Sequence, residues 1–89
     1  MVPAMRLTLE QLKLLVESGA VQSARIRSPG LGWLIEARTA QGYVTLHTAR
    51  GAPRVFASLD TAARSLKSIG IAVWQADGTL WHPEQRSLV

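Results

Sequence analysis

Apolar residues fall at helical spacing in two stretches of this chain and alternate with polar ones between and after them. Leu9, Leu12, Leu15 and Val16 form the first helical stripe. Thr8-Leu9-Glu10-Gln11 ahead of it fits a capping box, Leu7 and Leu12 are placed to staple that cap, and Gly19 is suited to end the helix. The period then changes to two. Ala20 to Arg27 predicts a strand, with Ala24 and Ile26 on one side and Arg25 and Arg27 on the other. Ser28-Pro29-Gly30-Leu31-Gly32 predicts a turn. Beyond it Trp33, Ile35 and Ala37 alternate with Leu34, Glu36 and Arg38, and Thr39 to Gly42 closes a hairpin onto a strand from Tyr43 to Thr48.

Arg50-Gly51-Ala52-Pro53 predicts a further turn before a short strand, Arg54 to Ala57, which Pro53 suits to a strand start or a sheet edge. Ser58 is a good N-cap for a second helix, with Asp60 in its first turn and Leu59, Ala62, Ala63 and Leu66 as its buried stripe. Gly70 ends that helix, Ile71 to Gln75 predicts a last strand, and Asp77-Gly78 a turn. Residues 79–89 show no clear period. They form a C-terminal tail that either docks through Leu80 and Trp81 or stays partly mobile. The expected architecture is one α+β domain over residues 1–89, in the order α-β-β-β-β-α-β. Its antiparallel sheet has about four to five strands, with both helices on one face.

Composition narrows the class. Eighty-nine residues suit one domain, and a hydrophobic content near half argues against disorder. No apolar run reaches the roughly 20 residues that span a bilayer, and the start lacks the apolar segment of a secretory signal. Cysteine is absent, which removes disulfides and thiolate metal sites and fits the cytoplasm. The net charge of +4 comes from eight Arg and two Lys against six carboxylates. Guanidinium groups suit phosphate and carboxylate recognition, so nucleic acid becomes a candidate partner, although a GC-rich coding source favours Arg equally well.

Candidate chemistry lies on the sheet face that the helices leave uncovered. The alternation assigns Arg25, Arg27, Leu34, Glu36, Arg38, Tyr43, Thr45, His47, Arg54 and Phe56 to it. Arginines interleaved with aromatic rings suit a phosphate backbone with stacked bases. The same residue types also suit an ordinary solvated strand surface. Leu34 and Phe56 among those charges point to an interface, including one made by a second copy of the chain. Binding of DNA or of a partner is therefore expected at Arg25, Arg27, Arg38, Tyr43, His47, Arg54 and Phe56. His47 and His82 stand 35 residues apart with no carboxylate at ligand spacing, so no metal site is expected. Gly30-Leu31-Gly32 lacks the third glycine of a dinucleotide loop, and no nucleophile elbow occurs. No cofactor, small-molecule substrate, membrane contact or enzymatic activity is expected.

Two resemblances add to this reading. The Thr8-Leu9-Glu10-Gln11 opening, Glu17 to Val21, Arg50 to Phe56, Ser58 to Ala62 and Ile69-Gly70-Ile71 resemble the ParC-like family, small partition-associated proteins of bacterial plasmids and integrative elements. The resemblance implies a cytoplasmic accessory protein of a mobile element, acting near partition or transfer, with duplex DNA or a partition protein as partner. It carries no catalytic signature, and Trp81 and His82 lie outside it. Separately, the strands from Trp33 to Phe56 running into a helix at Leu59 resemble the three-stranded DNA-binding sheet of phage-type integrases. That likeness implies groove contacts from Arg38, Tyr43, Thr45, His47 and Arg54. The N-terminal helix and the late strand depart from it. The leading expectation is an accessory protein that binds DNA, or a DNA-bound partner, through a basic sheet face. The alternative is a protein-interaction or homodimerisation module without nucleic-acid contact.

Overall fold

The computed structural model describes residues 7–82. Its elements are helix α1 (Leu9–Glu17), strands β1 (Ser23–Arg27), β2 (Trp33–Thr39), β3 (Gly42–Thr45) and β4 (Val55–Phe56), helix α2 (Leu59–Ser68) and strand β5 (Val73–Asp77), in the expected order. Residues 83–89 of the expected tail lie outside the described residues.

Both helices start as their caps dictate. Thr8 Oγ1 accepts from Gln11 N at 3.3 Å, and Gln11 Oε1 accepts from Thr8 N at 3.1 Å, which completes the capping box of α1. Ser58 Oγ accepts from Thr61 N at 3.1 Å at the start of α2. Gly70 follows α2 with φ of +99°, and a Cβ there would touch Val16 Cγ1 at 3.4 Å. That contact is an ordinary one, so it is the left-handed backbone that favours glycine.

The strand order is β3-β2-β1-β5, with β4 also paired to β2. β1–β2, β2–β3 and β2–β4 are antiparallel, whereas β1–β5 is parallel. The sheet is therefore mixed, mostly antiparallel with one parallel pair. Chain connectivity explains the exception. α2 carries the chain from β4 across the sheet to the far edge, so β5 starts from the same end as β4 and runs alongside β1 in the same direction.

β3 and β4 are two pieces of one line beside β2. Glu36 stands opposite Thr45, but Leu34 stands opposite Val55, eight residues later than His47, where a continuous ladder would place its partner. The excursion leaves after Leu46, whose N–H donates to Ile35 O at 2.8 Å. It returns at Arg54, whose N–H donates to Leu46 O at 2.9 Å. Within it, Thr48 N donates to Ala52 O at 2.7 Å, in the turn expected at Arg50 to Pro53. Gly32, at the start of β2, has φ of +72°, and a Cβ there would lie 2.5 Å from Val55 Cγ1 and 3.1 Å from Phe56 O. The return of β4 onto β2 depends on that missing side chain.

One hydrophobic core lies under the helices. Leu12, Ala62 and Leu66 from the helices meet Ala24, Ile26, Ile35, Ala37 and Leu46 from the sheet side, all buried, with Val21, Ile69 and Ile71 closing the ends. β5 starts two residues later than the sequence suggests, because Ile71 is drawn into this core as a lead-in. The first residues after Asp77 are docked. Trp81 lies 5.4 Å from Trp33, centroid to centroid, and His82 N donates to Gly30 O at 2.9 Å. Among the described residues no helix is long and apolar enough to cross a membrane.

Candidate functional site

The sheet face opposite the helices is built by strand alternation. Cross-strand partners share a face, so Ser23, Arg25 and Arg27 of β1 lie beside Leu34, Glu36 and Arg38 of β2. Tyr43 and Thr45 continue the face on one side, and Val55 stands opposite Leu34. Val73, Gln75 and Asp77 of β5 flank the β1 arginines on the other side.

Glu36 organises the centre. Its residue is only 5% exposed although it lies on the uncovered face. Arg25 reaches Oε1 through Nε at 2.7 Å and Nη2 at 2.6 Å. Arg27 reaches Oε2 through Nε at 3.1 Å and Nη2 at 2.9 Å. One carboxylate is thus held on both oxygens by two guanidinium groups, a geometry that lysines would not reproduce. Burial pushes the Glu36 carboxyl up, but hydrogen bonds from Arg27 and Arg25, with their charge, outweigh it and hold the group below the usual glutamate range. The Arg27 guanidinium is raised in turn, by its hydrogen bond to Glu36 and the carboxylate charge. Arg25 also places its guanidinium 3.9 Å over the Tyr43 ring.

Asp77 supplies a second carboxylate. Thr79 donates to its Oδ1 from both the hydroxyl, at 2.6 Å, and the backbone N–H, at 2.9 Å. Those two bonds hold its pKa below the usual aspartate range, and the charges of Arg25 and Arg27 add to the effect. Along this face three arginines (25, 27 and 38) meet two carboxylates (36 and 77), leaving a balance of +1. The expected basic face is therefore close to neutral at its centre.

The structure brings Arg25, Arg27, Arg38 and Tyr43 together on this face, with Arg38 exposed at its edge. His47 lies just past β3, half-buried, with Nδ1 2.8 Å from Thr45 O. Phe56 corrects the expectation. It stands opposite Trp33 on the helix-covered side and is 5% exposed, so it belongs to the core. Arg54 shares its parity and lays its guanidinium 5.3 Å over the Phe56 ring, away from the uncovered face. The excursion between β3 and β4 inserts an even number of residues, so the alternation runs through it unchanged. Val44, Leu46 and Phe56 then all face the core. The residues actually presented in place of Phe56 are Val55 and Val73, 58% and 66% exposed. Neither is fixed by local alternation: the side of Val55 depends on the length of the excursion before β4, and that of Val73 on the parallel register with β1.

No curated protein and no solved structure matches the chain, so the integrase likeness of Trp33 to Phe56 rests on the sequence alone. A family model described as ParC-like matches residues 7–85, which takes in every strand and helix described above. The chain belongs to the ParC-like family.

Proposed function

We propose that this chain is a non-enzymatic accessory protein of plasmid or mobile-element maintenance. In this reading it docks on a DNA-bound partition protein through its uncovered sheet face. Family membership supports the setting, and one observation carries the choice of partner: Glu36 already occupies both Arg25 and Arg27. A surface that tracks a phosphate backbone needs cations free to replace counterions, and binding weakens as their number falls. Here the two central cations are committed to an internal carboxylate, and the face around them presents Val55, Val73 and Tyr43. Exposed apolar and aromatic groups around ordered arginines are the composition of a protein interface.

The test is retention of the element in dividing cells. Deleting the gene lowers retention, and the wild-type gene restores it. A variant carrying Val55→Asp and Arg38→Glu, with an unchanged circular dichroism spectrum, fails to restore it. Full restoration by that double variant overturns the docking face. Unchanged retention on deletion overturns the maintenance role.

A further inference from the structure

β5 ends the sheet, and its outer edge has no strand beside it among the described residues. Asp77 O accepts from Ser28 N at 3.3 Å, so Asp77 turns its backbone groups toward β1. By strand alternation Val73 and Gln75 do the same, while Trp74 and Ala76 direct N–H and C=O outward. The edge sequence Val73-Trp74-Gln75-Ala76-Asp77 contains no proline and no lysine, residues that commonly block strand addition. Beside this edge runs a groove of about 490 Å³ between β5 and α2. Ala63, Ile71, Ala72 and Trp74 form its apolar walls, and Arg64 and Lys67 stand with them along the groove.

We propose that the β5 edge and this groove accept an extended, acidic segment of a partner protein as an additional strand. Its backbone pairs with Trp74 and Ala76, its apolar side chains pack on Trp74, and its carboxylates meet Arg64 and Lys67. Charge selects this occupant over a second copy of the chain. A second copy would bring its own Arg64 and Lys67 to the same groove, and the whole chain carries +4. Asp60 does not cancel the groove's charge. Among the described residues it pairs with Arg64 alone, at 3.0 Å, and both side chains are more than 70% exposed, where pairing is weak. Strand addition of this kind draws affinity from the backbone and specificity from alternate side chains. The groove lies on the helix side of the sheet, opposite Glu36, so the proposal does not rest on the docking face described above.

The experiment uses the ¹⁵N-labelled full chain and the capped peptide Val-Thr-Glu-Thr-Val-Thr-Glu, whose Val and Glu residues share one strand face, with a Lys-for-Glu peptide as control. The Glu peptide is expected to slow amide exchange at Trp74 and Ala76 and to bind at least about tenfold more tightly than the Lys peptide. Arg64→Glu with Lys67→Glu, both at exposed helix positions, should reverse that preference. Ala76→Pro removes one outward donor without touching the β1 ladder and should abolish the slowing at Trp74. Four outcomes overturn the proposal: no saturable binding of the Glu peptide, equal binding of the Lys peptide, binding without slowed exchange at those two amides, or concentration-dependent protection of them in the protein alone. The last would assign the edge to a second copy.

Discussion

The two faces of the sheet use the same strands for opposite purposes. On the helix side Ala24, Ile26, Ile35 and Ala37 are at most 4% exposed, and their contribution is shape and apolar area. On the other side Glu36 is nearly as buried as they are, yet no helix covers it; the stems and guanidinium groups of Arg25 and Arg27 shield it instead. One face is stable because it excludes charge, and the other because its charges are matched. A row of arginines is therefore a cationic surface only if the strand beside it carries no carboxylate.

The sharpest way to break the helix-side face is Ile35→Ala, which opens a cavity at the centre of β2. It should cost about 2–5 kcal/mol in chemical denaturation. On the other face, Glu36→Gln leaves two arginines without their anion. Both remain about one-third exposed and keep part of their hydration, so the expected loss is smaller, about 2 kcal/mol. The same pair responds to pH. The Glu36 pKa is lower in the folded chain than in the unfolded one, so its stabilisation is complete above the ordinary glutamate value of about 4.3 and is lost as pH falls through the depressed folded value. Acid titration of wild type and Glu36→Gln should therefore converge at low pH. Gly32→Ala, which strains a left-handed residue against Val55 and Phe56, should cost about 1–2 kcal/mol and increase amide exchange in β4. Arg64→Ala, on the exposed side of α2, should change stability by no more than about 0.5 kcal/mol.

The helix-side face was legible because each of its signals is local. Thr8 and Ser58 cap where their side chains reach the next turn, and Ile35 and Leu46 follow the period of a half-buried strand. What sequence reasoning missed depended on pairing across the chain. Phe56 reads as a surface aromatic from the sequence because nothing local fixes the phase of β4 after the turn at Arg50 to Pro53; its pairing with β2 shows an excursion of even length that keeps the phase of β3. Val73 and Trp74 were placed on a strand, but which side each takes follows from the parallel partner β1, which α2 sets from a distance. Glu36 was visible among the arginines. That it would bind two of them became clear only with β1 in register, Arg25 directly opposite and Arg27 one step along the same face.

Duplex DNA affinity, measured across a salt series for wild type and Glu36→Gln, tests the matched-charge face most directly. If Glu36 neutralises Arg25 and Arg27, wild type shows little affinity and a shallow salt slope, while Glu36→Gln binds more tightly and with a steeper one. Tight, steeply salt-dependent binding by the wild type, unchanged by Glu36→Gln and lost in Arg25→Ala with Arg27→Ala, would contradict it.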